Sequence, residues 1–570
     1  MTQQIRSESS LMNGRVHETT DPAINTSGGR RKRRWFFRLT ALLLAVGFIP
    51  LLEGIMRLLD LGPSVSLTIP VSPTLQAENA QYTHQINGTA DLPYFGQTDI
   101  AGPEVRPFTL PKPDNVYRII VLGGSTVIGF PYAPELAFPR QLQIQLQQQD
   151  PDVTFEVLNA GVTSLNSFAV LDLVTQCQQA DPDLIIVHTG HNEFYGPGGP
   201  ASSAFQLSPK VIRLTYRLRR WRSIQMLSSL TAAPGQLNGD LMDILPAQLS
   251  IPLDGDVYRQ ARLNYESNLR HMVEHCEHLQ IPLLLTTVEC NLRDQSPLLA
   301  IWPRASNDGQ EEWNSLMEQA QQQISDGQFE SALTTLDQAS RITPEHADIS
   351  FRRGQCFDGL GLVSEAWEAF SHARDLDGCR FRIPSEFHDI PLQLARGRKY
   401  CQSLNLMEEI RRAGYDAAPG FNLFLEHVHY NFEGHHLVAT LIARSVQTTI
   451  RSQPWDDSQT ADVSAMKQLA GFLPEDDLAA TSFAMQVLQT GPFSRSIDRS
   501  SHLAHLAERA EHIFQSLPGD RGSVFAELSM NQLASDLPRH LLHAHQQRGD
   551  NETVNQLNQA LKLRTPWRTE

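Results

Sequence analysis

Ser125 sits where a nucleophile would stand. In "VYRIIVLGGSTVIGF", residues 116–130, an apolar strand runs through a glycine pair into a helix start. A serine there often only caps the helix, its hydroxyl satisfying a backbone N–H that has no partner within the helix. It becomes a nucleophile only if a base reaches it. Two more apolar strands end in marked loops, Asn159-Ala160-Gly161 and Gly190-His191-Asn192-Glu193. Acyl transfer through a serine needs hydrogen-bond donors aimed at the developing oxyanion. The backbone N–H groups of Ser125 and Gly161 and the side-chain amide of Asn192 would supply three. Glycine at 161 would let the backbone approach closely.

The base must be an imidazole oriented by a carboxylate. "FLEHVHYNFEGHHLVA" offers Glu426-x-x-His429 on a loop before a final helix. His427, His435 and His436 compete, the last two at the helix start. His427 and His429 form a His-x-His pair of the kind that binds metal, but no third ligand is evident in the sequence. The reading is therefore no metal and no cofactor. A nucleotide-binding turn is the rival for "GGSTVIG", yet it lacks G-x-G-x-x-G spacing, and the second strand ends in Asn-Ala-Gly rather than an acid.

These residues converge only if the strands are parallel. From Val116 the chain alternates short apolar runs with amphipathic helices: "YRIIVLG", "FEVLNAG", "PDLIIVHTG" and later "IPLLLTTVEC" read as strands. That pattern predicts a parallel sheet covered on both faces. With right-handed crossovers its strand ends share one edge, where open α/β sheets bind ligands. Sheet-like sequence returns in residues 422–450.

Between Trp313 and Asp377 the pattern is helical throughout, with Gly327 and Gly361 34 residues apart and a proline in "ITPEHAD". Thirty-four is the tetratricopeptide period, against an ordinary helical insertion. The repeat reading implies a protein partner for residues 311–379, or a lid over the catalytic edge. Arg380 and Arg382, where the chain re-enters the main domain, are candidates to hold an anionic substrate group. After residue 455 the chain is helical and polar.

The N-terminal part differs in kind. Residues 1–34 are polar and end in "RRKRR", directly before the apolar run 35–62, which Glu53 and Arg57 interrupt after Leu52. The run is long enough for a membrane helix if those two pair or lie near the interface. The basic flank places the N-terminus in the cytoplasm and the remainder outside the inner membrane. A cleaved signal peptide fits less well, since a long polar leader precedes the basic residues. Residues 63–114, rich in Pro, Thr and Ser, read as an extended stalk. Over 570 residues the net charge of −16 argues against nucleic-acid binding. The six scattered cysteines form no CxxC pair.

Taken together, the chain resembles the SGNH/GDSL hydrolase superfamily, whose short blocks it carries in order. Ser125 in "GGST" matches the first, Gly161 in "NAGVTSLNS" the second, Asn192 in "GHNE" the third and His429 in "EHVH" the last, with Glu426 in the place of the acid. Gly124 stands where the family often has aspartate, and Glu426 is a glutamate rather than an aspartate. The resemblance implies a three-layer, flavodoxin-like α/β domain, residues 115–310 and 380–450, interrupted by the helical insert 311–379 and followed by a helical extension 455–570. It resembles a membrane-anchored bacterial subgroup, to which "NLRDQSP" (291–297) and "RDLDGCRFR" (374–382) also point. The implied activity is a serine esterase acting on an acyl ester or acylated saccharide. An O-acyltransferase using the same triad, and an inactive scaffold acting through the insert, are the alternatives.

Overall fold

The computed structural model describes residues 35–36, 40, 47–95, 102–202, 207–231, 250–302, 309–414 and 417–566. The chain divides into two units, Met1–Gly62 and Pro63–Glu570. In the first, residues 47–58 are helical, and Arg57 Nε meets Glu53 Oε1 at 2.6 Å, one turn away. Among the described residues no helix is long and apolar enough to cross a membrane. Much of the expected span, residues 37–39 and 41–46, lies outside the described residues, as does the 1–34 leader.

The second unit opens with a small antiparallel sheet, β1 (Thr68–Pro70), β2 (His84–Ile86) and β3 (Pro107–Phe108). This is the region expected as an extended stalk. Instead Leu67, Ile86 and Phe108 are fully buried in the same cluster as Ile120 and Leu158 of the main sheet. The Pro- and Ser-rich composition hides a few widely spaced apolar side chains, and burial of each favours folding onto the body.

The main sheet is β4 (Val116–Gly123), β5 (Thr154–Asn159), β6 (Leu184–His188), β7 (Leu283–Thr286) and β8 (Cys401–Leu404), all parallel, in the order β5-β4-β6-β7-β8. Numbered along the sheet this is the flavodoxin-like 2-1-3-4-5 arrangement, whose switch point lies between β4 and β6. Both faces are covered, because alternate side chains of each strand point to opposite sides. Ile120, Leu122, Ile185 and Val187 pack into one cluster and Ile119, Val121, Leu184 and Ile186 into the other.

The helices follow from this. The short α1 (Ser125–Ile128) opens the first crossover and α2 (Phe138–Gln149) completes it; α3 (Ser167–Val174) follows β5. After β6 come α4 (Pro209–Arg219), α5 (Arg222–Thr231) and the long α6 (Asp256–Leu279). The insert is two helical hairpins, α7 (Gln310–Ser325) with α8 (Phe329–Ile342) and α9 (Ala347–Gly359) with α10 (Val363–Leu376). Gly327 and Gly361 occupy equivalent hairpin turns, each with φ +73°, a conformation that favours glycine. Then come α11 (Ser385–Ala395), α12 (Phe432–Ser445) and, in the C-terminal extension, α13 (Pro474–Val487). Helices α3, α6 and α11 cover one face of the sheet and α2 and α12 the other.

Of the sheet expected in 422–450 only an isolated bridge, Phe424 with Tyr430, forms among the described residues, and the final helix expected after the Glu426–His429 loop follows it. The last strand is β8, some twenty residues earlier, and the apolar stretch of 432–445 is helix α12. A short apolar run does not by itself distinguish a buried strand from a buried helix. All six cysteines are free and buried.

Candidate active site

The glycine pair is dictated by crowding. A Cβ on Gly123 would lie 2.0 Å from the His188 carbonyl of the neighbouring strand, and one on Gly124 would lie 2.7 Å from Asn192 Nδ2. An aspartate at 124 would displace Asn192. Ser125, immediately after, makes no capping bond. Its Oγ lies 2.7 Å from His429 Nε2, across 304 residues of chain.

His429 is delivered by a tight reversal. Phe424 and Tyr430 pair as an antiparallel bridge, Leu425 N–H donates to the His429 carbonyl at 2.9 Å, and Asn431 caps α12 through Gly434 N–H at 2.8 Å. Within this turn Glu426 Oε1 accepts the His429 backbone N–H at 2.8 Å and lies 2.5 Å from His429 Nδ1. The ring contact is close but falls short of hydrogen-bond alignment. His427 Nδ1 contacts the other carboxylate oxygen. One buried carboxylate thus serves two imidazoles. Burial lowers the His429 ring to about 3 and holds His427 well below its ordinary value. Both rings are therefore neutral at pH 7, leaving His429 Nε2 able to accept the Ser125 proton. Phe130 packs its ring edge-on against His429 at 4.8 Å.

Asn192 is fixed by its neighbours. Its Nδ2 donates to the Leu165 carbonyl at 3.0 Å, leaving the second amide hydrogen for a ligand. Glu193, next in sequence, accepts from the N–H and Oγ–H of Ser167 at 2.7 and 2.6 Å, bolting the loop onto the start of α3. Burial raises the Glu193 carboxyl to about 8.

Three expected residues, Gly161, Arg380 and Arg382, are corrected. Gly161 does not face the site: its N–H donates to Asn159 Oδ1 at 3.0 Å. Its lack of a side chain matters for a different reason, since a Cβ there would come within 2.5 Å of Ile128 N, in α1. The donor that this loop does offer is Ser164, which lines the cavity beside Ser125 and Asn192. Ser164 has φ +65°, and among the described residues its N–H has no acceptor. Nothing in the sequence marks it, because a left-handed turn residue is ordinarily Gly, Asn or Asp.

Arg380 and Arg382 are likewise structural. Arg380 is buried, its guanidinium on the carbonyls of Ile251 and Asp375 at 3.0 and 2.6 Å. Arg382 bonds the carbonyls of Asn291, Gln295 and Ser296 and meets Asp377 Oδ2 at 3.2 Å. The "NLRDQSP" and "RDLDGCRFR" stretches thus lock together at the base of the insert. Phe381, between the two arginines, is the residue that reaches the cavity.

That cavity holds about 270 Å³ and is walled by the aromatic rings of Phe130, Tyr195, Phe381 and Phe483. Phe483, Gln486 and Val487 belong to α13, so the C-terminal extension forms part of the wall. A second cavity of about 320 Å³ adjoins it and shares Phe130, Thr163 and Phe483. His435 lies away from Ser125, with Nδ1 accepting from the Phe138 N–H at 3.2 Å. The carboxylate of Glu426 places a third metal-binding side chain beside the His-x-His pair, with ligand atoms within 4.8 Å of one another. The two Nδ1 atoms there already face that carboxylate.

Fold and site together define a class: a parallel α/β sheet with a Ser–His–Glu constellation at its switch point. No family model matches the chain, and no curated protein does. Among solved structures it is similar to a chain described as a candidate lipolytic protein of the G-D-S-L family from Desulfitobacterium hafniense DCB-2. The identity is 12%, 57% of this chain and 98% of that one are covered, and the TM-score is 0.25. So slight a likeness assigns neither fold nor activity; the fold is read from the sheet itself, and the chemistry from the side chains.

Proposed function

We propose that this chain is a serine ester hydrolase of the SGNH/GDSL type working through an acyl-enzyme. The observation that carries the reading is the line Ser125 Oγ, His429 Nε2, His429 Nδ1, Glu426 Oε1, with separations of 2.7 Å and 2.5 Å at its two ends. Ser125 Oγ attacks the ester carbonyl while His429 Nε2 takes its proton, and the Glu426 carboxylate stabilises the imidazolium. The carbonyl oxygen becomes an oxyanion held by the N–H groups of Ser125 and Ser164 and the Asn192 amide. Collapse breaks the ester C–O bond, and His429 returns the proton to the leaving alcohol. Water, deprotonated by His429, then releases the acid. A sugar hydroxyl in place of that water would give an O-acyltransferase. The aromatic walls suit an acyl group or the apolar face of a sugar ring, consistent with an acylated saccharide as substrate.

Residues 35–62 would anchor the protein in the inner membrane, with the catalytic unit outside; the basic cluster at 30–34 supports that orientation. The insert would be a tetratricopeptide-like module, which its two hairpins and 34-residue glycine spacing support.

The test is hydrolysis of p-nitrophenyl esters and acetylated sugars by the full chain and by Ser125→Ala. The proposal expects turnover that Ser125→Ala abolishes. Equal rates from both would refute it.

A further inference from the structure

The helices α4 and α5 carry a surface that catalysis does not use. Between residues 207 and 231 there are six Lys and Arg and no Asp or Glu, in a chain whose net charge is −16. Interleaved with those cations is apolar surface. Val211, Leu214 and Leu218, at positions i, i+3 and i+7 of one helical stripe, are 44%, 55% and 37% exposed. Leu207, Met226 and Leu227 extend the patch at 56%, 38% and 44%. Isolated exposed leucines are ordinary, but five large apolar side chains along one helical pair, with a sixth just before it, are not.

The opposite face of α4 is firmly held, so the stripe is not a loose end. Ile212 and Tyr216 are buried in the main core. Tyr216 Oη donates to the Pro197 carbonyl at 2.6 Å, and its ring packs edge-on against Tyr94 at 5.0 Å. Arg213 donates to Asn268 Oδ1 and Ser267 Oγ, both at 2.8 Å. Arg220 pairs with Asp172 at 2.9 Å. Lys210 and Arg217, by contrast, stand exposed beside the stripe.

We propose that α4 and α5 form an interfacial surface that docks on an anionic lipid bilayer, with the Val211–Leu214–Leu218 stripe entering the acyl boundary and the flanking cations meeting lipid phosphates. A basic amphipathic face with leucine on one side is what such an interface accepts, and each cation near an anionic surface strengthens the attachment. A second copy of the chain fits less well, since it would bring like-charged faces together. No residue of this surface lines the cavity at Ser125.

The native cysteines are all buried, so one introduced on the surface can be labelled selectively. The experiment uses the full chain with Leu214→Cys carrying an environment-sensitive dye, mixed with phosphatidylglycerol vesicles or with phosphatidylcholine vesicles. The expected result is a blue shift with the anionic vesicles only, reversed by high salt. Binding read this way should weaken by roughly tenfold or more when Lys210→Glu and Arg217→Glu are added. A dye at Glu330→Cys, on α8, should not shift. The proposal is overturned by no shift at 214, by an equal shift at both sites, or by a shift that follows protein concentration without vesicles. None of these readouts depends on Ser125 or on turnover.

Discussion

Replacing Glu426 by glutamine tests the relay through a feature particular to this chain, the sharing of one carboxylate by two imidazoles. Oε1 accepts the backbone N–H of His429 and faces its ring, while Oε2 faces His427. The glutamine oxygen will therefore keep the Oε1 position, and the amide NH2 will turn to His427, whose Nδ1 can become an acceptor by changing tautomer. His429 keeps its own tautomer, so the main loss is the negative charge that stabilises the imidazolium. A unit charge about 4 Å away at an effective dielectric near 20 is worth about 4 kcal/mol, or about three decades in rate. The expectation is a kcat for p-nitrophenyl acetate down roughly 10³-fold, with KM changed by only about threefold, because the charge acts on the transition state and not on the bound ester. Adding His427→Phe should deepen the loss, since the amide would then have no partner. A loss under about tenfold for Glu426→Gln would refute the assignment of Glu426 as the orienting acid.

Other consequences follow from the same geometry. Asn192→Ala should lower kcat by about 10²–10³-fold with the fold intact by circular dichroism, as expected for one lost oxyanion donor. Phe483→Ala removes a ring shared by the two cavities, 6.3 Å from the Phe130 ring. It should raise the ratio of kcat/KM for octanoyl over acetyl esters by roughly tenfold. Stability should peak near pH 6.5 and fall on either side, as read by Tm. Burial lowers His188, His388, His429 and His435 to about 3 and His346 and His502 to about 4. Their stabilising neutral forms hold above the ordinary imidazole value and are lost as pH falls through the lowered ones. Glu289 and Glu193, raised to about 7 and about 8, act in the opposite window: their contribution is lost as pH rises through those values. A Tm independent of pH between about 4 and 6.5 would contradict the burial of those six imidazoles.

The sheet was legible where its strands are apolar. β4, β6 and β7 announce themselves as runs of Ile, Val and Leu because both their faces are buried, and β5, though an edge strand, still shows Phe155, Val157 and Leu158, which it buries. β8, "CQSL", does not, since as an edge strand it needs only Cys401 inside. The triad side chains were legible because their types are chemically restricted. The oxyanion loop was half legible: Asn192 is a side-chain donor and shows itself, whereas Ser164 acts through its backbone, which any residue type carries. Gly161 misled for the complementary reason. Its missing side chain makes room for α1, and a glycine in a sequence does not say which neighbour it clears. Arg380 and Arg382 were misread because four of the five carbonyls that satisfy them lie 86 to 129 residues upstream in the chain. Nor does a polar helical sequence reveal that α13 ends against the catalytic rings; only the packing of the extension shows it.

The central claim is that Ser125 is a nucleophile activated by His429. The direct measurement is mass mapping of the full chain after reaction with a fluorophosphonate. A single adduct on the peptide containing Ser125, lost in His429→Ala while that variant keeps the parent's circular dichroism, is the expected result. An adduct on another serine, or none on the folded parent chain, would contradict it.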